Sequence, residues 1–404
     1  MSGRNGVGKR SWALVALLAS QCASAGVMND VLSEWNLQAD QCEDGQLDLE
    51  AMVNVAMFEA VNGIAGKYQS YLPAAGIRGT GSMDAAAATA AHDVLLALCA
   101  DQADAFEAAL KTSLARVEDD AARDAGAKLG SRAAAALIAA RADSGANVPD
   151  PLFEPAAAGR YVTTLERVGV STARIRPWVM TTPDEVRAPP PPALDSETWA
   201  RDFNEIKRMG GKKSDARTPT QTDIGKFWGK RDVRIVLPQL LGRPGRTLVD
   251  DARFLALAEM AWADSYVAMM DGKYAFMFWR PITAIRNAAM DGNAATEPDP
   301  EWRPLLINTP PHPEYPCGHC LSAAAVGAVI EAEFGGAAPP IVLAEEDALL
   351  RRYDTPREYI DEVSESRLLG GVHYRFSVEA GRSAGLAIGQ LAAQRYFKPA
   401  VDGH

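Results

Sequence analysis

Histidine is scarce in these 404 residues, five in all, and no two of them form an HExxH pair. The cysteines make no paired CxxC zinc pattern, and Asp291-Gly292-Asn293 does not continue as a calcium loop, so conventional zinc and calcium sites are excluded. Valine- and threonine-rich alternation, the mark of half-buried strands, is thin, and there is no internal supersecondary repeat. Basic patches are wanting as well. At a formal net charge of −11 the chain offers no evident footing for a nucleic acid or an anionic membrane. Past the N-terminal region no stretch reads as a transmembrane helix, which needs about 20 apolar residues, so an integral membrane protein is not expected.

What is present favours helix. Alanine runs at Ala85–Ala88 and Ala133–Ala136 sit among apolar positions spaced three and four apart, and an all-α fold of helical bundles is expected. The first 25 residues have the order of an export signal: Arg4, Lys9 and Arg10, the apolar run Trp12–Ala19, then Ala23-Ser24-Ala25. Cleavage near Ala25 would deliver a secreted or periplasmic protein. Helical patterns cover about 47–66, 84–100, 103–117 and 120–143, giving an N-terminal helical part over 26–144. Residues 145–195 carry Pro149, Pro151, Pro155, Pro177, Pro183 and the run Pro189–Pro192, and read as an extended connector lying across the helical surface.

The remainder, 196–404, reads as a second helical part, with patterns over 197–209, 219–228 and 248–270. Asp271-Gly272 is taken as the stop of the last of these, and the next helix is expected to carry Lys273 and Arg280. Further patterns cover 318–334, 354–369 and 376–397. Without a signal peptide the chain keeps Cys42, Cys99, Cys317 and Cys320; Cys42 and Cys99 are expected either to pair or to stay as two buried thiols. Oligomerisation is left open.

Three segments of this second part converge on one anion-binding chemistry: Lys273–Pro281 (KYAFMFWRP), Pro316–His319 (PCGH) and Ser366–His373 (SRLLGGVH). Lys273 and Arg280 are seven apart, which on one helix places both on a single face, with Phe276, Phe278 and Trp279 between them arguing for burial. Cys317, Gly318 and His319 precede an apolar run, at a helix N-terminus whose free N–H groups favour an anion. His319 has the reference pKa of a general acid or base. Arg367 and His373 are six apart and share no helical face, so Gly370-Gly371 must bend the chain for both to reach a common centre. Taken singly, each segment has an ordinary structural explanation, such as snorkelling cations or a capping histidine. Together they supply three cations and two imidazoles, the charge-assisted donors that a buried oxyanion needs.

The pattern K-x6-R-P, P-S-G-H and S-R-x5-H resembles the signature shared by vanadium-dependent haloperoxidases and type 2 phosphatidic acid phosphatases. AEMAWADSYVAMMDGKYAFMFWRPITAI, INTPPHPEYPCGH, EAMVNVAMFEAVNGI and QTDIGKFW are similar to the bacterial haloperoxidase branch. The resemblance implies vanadate as cofactor, held by Lys273, Arg280, Cys317, Gly318 and Arg367, with His373 as its one protein ligand and His319 as acid–base residue. It implies hydrogen peroxide and a halide as substrates, with Lys273 polarising the peroxide. A secreted acid phosphatase, in which His373 attacks phosphorus and His319 protonates the leaving oxygen, is the alternative on the same residues. Histidine seven positions before His319, here His312, is the family's bromoperoxidase tendency and implies bromide or iodide.

Two positions depart from the pattern. Cys317 stands where the family has serine, and Ser377 where a carboxylate four after the ligand histidine is often found. Cys317-Gly318-His319-Cys320 also matches the CxxC of thiol-disulfide oxidoreductases, but without a βαβ context; a disulfide inside this loop is favoured over that redox role, and the state of the pair is left open.

Overall fold

Hydroxyl side chains mark where helices begin in this chain. Ser82, Ser196, Thr218 and Thr355 each accept a hydrogen bond from the backbone N–H three residues on, satisfying donors that the first helical turn leaves free. The computed structural model describes residues 30–42, 47–145, 157–163, 169–345 and 348–400. Its first helices are α1 (Asp30–Asp40), α2 (Leu49–Ala65), α3 (Met83–Leu98), α4 (Ala103–Leu114) and α5 (Asp120–Arg141). After the connector come α6 (Glu197–Met209), α7 (Pro219–Trp228), α8 (Leu248–Phe276), α9 (Pro281–Arg286), α10 (Gly318–Phe334), α11 (Pro356–Leu369) and α12 (Arg375–Arg395).

The expected all-α architecture is found, with elements that the sequence reading passed over. These are α1, the short α9, and an antiparallel hairpin of β1 (Ile341–Glu345) and β2 (Ala348–Tyr353), irregular between Leu343 and Ala344. Cys42 and Cys99 form a disulfide, tying the segment after α1 to the end of α3. The signal-peptide reading of residues 1–25 and the prolines at 149, 151 and 155 lie outside the described residues.

Asp271-Gly272 does not end a helix; α8 runs through both to Phe276. Asp271 is held by Arg187 of the connector through two 2.6 Å bonds. Gly272 makes room for a neighbour, since a Cβ there would meet Pro316 Cδ at 2.8 Å. The stop comes later, at Met277, which takes a left-handed φ of 50°. Arg280, next in line before Pro281, is then extended, as the proline ring requires of its predecessor.

Helix α8 is the axis of the molecule, packing on α2 on one side and on α10 and α12 on the other. Helix α10 is enclosed by α8, α11 and α12. The stretch Gly318–Ala337 is in fact long and apolar enough to cross a membrane, contrary to the sequence reading, but 61% of its most apolar window is buried inside the fold. Its apolarity belongs to the core. Helices α10 and α12 approach closely because Gly381, Gly385 and Gly389 line the contact: a Cβ at these positions would meet the carbonyl oxygens of Cys317, Leu321 and Ala325 at 2.3, 2.1 and 2.4 Å.

Connector residues 169–195 lie against α8. The fully buried Asp264 carboxylate accepts from the backbone N–H groups of Trp178, Val179 and Met180 at 2.7–2.8 Å. Deleting it leaves three buried donors unpaired, so Asp264→Ala is expected to lower unfolding free energy by roughly 2–4 kcal/mol in urea titrations. A loss below about 0.5 kcal/mol would mean that the connector is not held this way.

Candidate active site

The pocket is assembled from four places in the chain. Lys273 lies in the last turn of α8, Arg280 caps α9, Gly318 and His319 open α10, and Arg367 and His373 flank the bend after α11. Lys273 and Arg280 therefore do not share one helical face as expected, because Met277 turns the chain between them. The bend at Gly370-Gly371 is found, with Gly371 at φ +77°, a conformation that favours glycine.

Lys273 is fully buried and its Nζ donates to the carbonyls of Pro313, Glu314 and Pro316 at 3.0, 2.8 and 2.6 Å. Three acceptors call for all three ammonium protons, although burial, then Arg280, pulls the lysine pKa well down. Arg280, 1% exposed, donates from Nε to His312 O and from Nη1 to Val372 O, both at 3.0 Å. Its Nη2 is 3.0 Å from His312 Nδ1, so His312 is a wall of the pocket rather than a solvated loop residue. Arg367 donates to Trp228 O at 3.4 Å, while its Nε is buried without a partner. Burial holds both guanidinium groups down to about 10, still protonated at neutral pH.

His373 is oriented by a residue that the sequence reading missed. Its Nδ1 lies 2.8 Å from Glu314 Oε1, which also accepts from Tyr374 N at 3.2 Å. Arg280 Nη1 is 3.4 Å from His373 Nε2, and a guanidinium only donates, so Nε2 carries the lone pair and Nδ1–H points to Glu314. Burial pushes the Glu314 carboxyl up to about 7, against the pull of Lys273 and Arg280. Ser377, where a carboxylate was expected, packs beside Glu314. The signal available in advance was a lone acid inside the buried, proline-rich HPEYP loop.

Cys317 and Cys320 form a disulfide across the first turn of α10, and Cys317 Sγ also accepts from Cys320 N at 3.3 Å. The sulfur in the serine position is thus neither a thiol nor a donor. A Cβ at Gly318 would lie 2.1 Å from Met269 Sδ, so that side chain would have to shift. His319 is partly exposed and its pKa is driven well down by burial and then by Arg367, Lys273 and Arg280. Ser366 Oγ bonds back to Val363 O at 2.6 Å and takes no part in the pocket.

Three cations against one carboxylate, an orphaned Arg367 Nε and an unprotonated His373 Nε2 fit an oxyanion with an atom that accepts a nitrogen ligand. The fold is all-α and gathers this cluster of cations and imidazoles in its interior. Residues 253–401 match the family model described as the VCPO second helical-bundle domain. It is 24% identical over 268 residues to the vanadium chloroperoxidase of Curvularia inaequalis, covering 48% of this chain and 43% of that protein. The chain thus spans less than half the length of this curated relative. Among solved structures, a bacterial vanadium-dependent iodoperoxidase superposes with a TM-score of 0.73 at 19% identity, over 98% of this chain and 99% of that one. The apo form of a bacterial vanadium-dependent chloroperoxidase gives 0.65 at 17% identity, over 86% and 92%.

Proposed function

We propose that the protein is a vanadium-dependent haloperoxidase that uses hydrogen peroxide to oxidise bromide or iodide to hypohalous acid. The observation that carries this reading is the cluster of buried cations Lys273, Arg280 and Arg367 around an imidazole whose Nε2 keeps its lone pair, facing Arg280 Nη1 at 3.4 Å. Vanadate would be held by His373 Nε2, Arg280, Arg367 and the Gly318 amide. When bound it supplies an electrophilic centre that activates peroxide for two-electron oxidation of a halide. Glu314 fixes the His373 tautomer and offsets part of the buried positive charge. Lys273 acts through its charge and by clasping the 313–316 loop, since carbonyls take its three N–H bonds. His319, neutral before the anion enters, is the group that takes up and returns a proton. His312 beside Arg280 puts a polar ring where a chloride-oxidising member would have an aromatic hydrocarbon, which favours bromide or iodide.

The same reading takes residues 1–25 as a signal removed near Ala25, with secretion or transfer to a periplasm. It divides the remaining chain into a helical part (26–144), a connector (145–195) and the catalytic part (196–404).

The test loads metal-free protein with orthovanadate and follows bromide- and iodide-dependent halogenation of a phenol dye by peroxide. Hydrolysis of p-nitrophenyl phosphate is measured in parallel without vanadate. Vanadate-dependent halogenation supports the reading; phosphate hydrolysis without halogenation replaces it with the acid phosphatase.

The Cys317–Cys320 disulfide closes the turn that carries Gly318 and His319, so reducing it frees that turn. Vanadate affinity is expected to fall about tenfold with a phosphine reductant, a typical effect of removing outer support from a metal site. Cys42→Ser/Cys99→Ser protein, lacking the other disulfide, should show the same fall. Unchanged affinity on reduction would mean that the disulfide does not support the pocket.

A further inference from the structure

The loop between α6 and α7 forms the floor of an open cleft of about 1010 Å3. Lys207, Arg208, Lys212, Lys213, Arg217 and Lys226 line it, against the carboxylates of Asp215 and Asp299. This concentration of positive charge stands on a chain whose formal charge is −11, and it corrects the sequence reading that no basic patch exists.

The cations divide into two groups. Arg217 is buried and maintains the shape of the loop: Nη1 donates to Met209 O and, at 2.9 and 3.4 Å, to Gly211 O and Leu369 O, while Nε donates to Thr222 Oγ1 at 2.9 Å. Ser214 Oγ closes on Arg208 O at 2.8 Å, and Lys212 N donates to Arg303 O at 2.7 Å, fastening the loop to the neighbouring strip. Arg208, Lys212, Lys213 and Lys226 by contrast are exposed, and no hydrogen bond or ion pair to their side chains is found among the described residues. Two of these cations stand on the loop braced by Arg217 and one on each flanking helix, gathered in one cleft where like charges repel one another and weaken the fold. An anion spanning them would reverse that cost.

We propose that this cleft binds an acidic polysaccharide, a chain bearing carboxylate or sulfate groups along its length. The charges follow an open surface from α6 across the loop to α7 rather than converging on one point, which suits a repeating anion better than a single small one. A single-stranded nucleic acid fits less well, because the one aromatic side chain in the lining, Trp302, is 6% exposed with its indole N–H bonded to Lys207 O at 2.9 Å. No aromatic face is left for bases to stack on. None of its lining residues belongs to the oxyanion pocket, and the proposal does not depend on the reaction proposed there.

The experiment uses the full chain and polygalacturonate as probe, with dextran sulfate as the sulfated counterpart, neutral dextran as control and a single-stranded oligonucleotide as competitor. Binding is followed by calorimetry at low salt and repeated as salt is raised. The Lys212→Gln/Lys213→Gln/Lys226→Gln protein is compared with Lys111→Gln/Lys128→Gln/Lys398→Gln, which removes equal charge from exposed positions elsewhere, and melting curves confirm that both variants are folded. Expected are binding of the acidic polymers but not dextran, at least a tenfold loss and a shallower salt dependence in the cleft variant, and little change in the control variant. The proposal is overturned if the native protein binds neither acidic polymer, if both triple variants lose affinity equally, or if the oligonucleotide binds the cleft more tightly than either polysaccharide.

Discussion

Replacing His373 with alanine is expected to abolish vanadate binding, whereas replacing His319 is expected to leave much of the binding and to damage turnover. His373 offers the pocket a nitrogen lone pair, held in that tautomer by Glu314 on one side and Arg280 on the other. Protonated lysine and arginine side chains only donate and cannot replace it, and the His312 Nδ1 lone pair already faces Arg280 Nη2 at 3.0 Å. His319, by contrast, has no hydrogen bond to its ring among the described residues and is partly exposed, as a proton carrier at the mouth of a pocket should be. Calorimetry or vanadium NMR reads the binding, and loss of a positioned acid–base group is expected to lower kcat by roughly 10²–10⁴-fold. Equal loss of binding and turnover in both variants would sink the division of roles.

Glu314 variants should show the second largest effect, in a graded order. In Glu314→Gln the amide oxygen can still accept Nδ1–H, so the tautomer survives while the negative charge is lost; vanadate affinity is expected to fall about tenfold. In Glu314→Ala nothing holds the proton on Nδ1, the Nε2 lone pair is no longer favoured, and the fall should approach 100-fold. The alanine variant also removes the buried carboxylate whose charge acts on Lys273 and Arg280, at a cost to the vanadate-free fold of roughly 3–5 kcal/mol. High vanadate should recover part of that stability, because a ligand bound only by the folded state raises its melting temperature. A purely structural Glu314 would instead give Gln and Ala variants of normal vanadate affinity once folded, and that outcome would remove it from the site.

Much of this arrangement was legible in the residues. Helical spacing located α2 to α7 and α10 to α12 to within a few residues, because their apolar stripes and caps are local properties. The paired glycines after Leu369 announced the bend that brings Arg367 and His373 together. What escaped depends on partners distant in sequence. Asp271-Gly272 reads as a stop only until Arg187 and Pro316 are known to sit against it. Glu314 shows no periodicity and becomes a site residue only when α11 and its bend deliver His373 to it. The basic residues between 207 and 226 are diluted along the sequence by glycine, serine and aspartate, and become a patch only when the loop folds back on itself.

The glycine stripe of α12 decides where this molecule can vary. With Gly381, Gly385 and Gly389 seated on the carbonyls of α10, even a methyl group there would pry apart the two helices, and with them Gly318, His319 and the bend bearing His373. Mutational latitude is therefore smallest along this helix contact. It is greatest in the stretch from Leu306 to His312, where Ile307 is 81% exposed and one wall residue, His312, faces Arg280. On the proposed reaction, a change of halide or organic acceptor would have its easiest path through that loop.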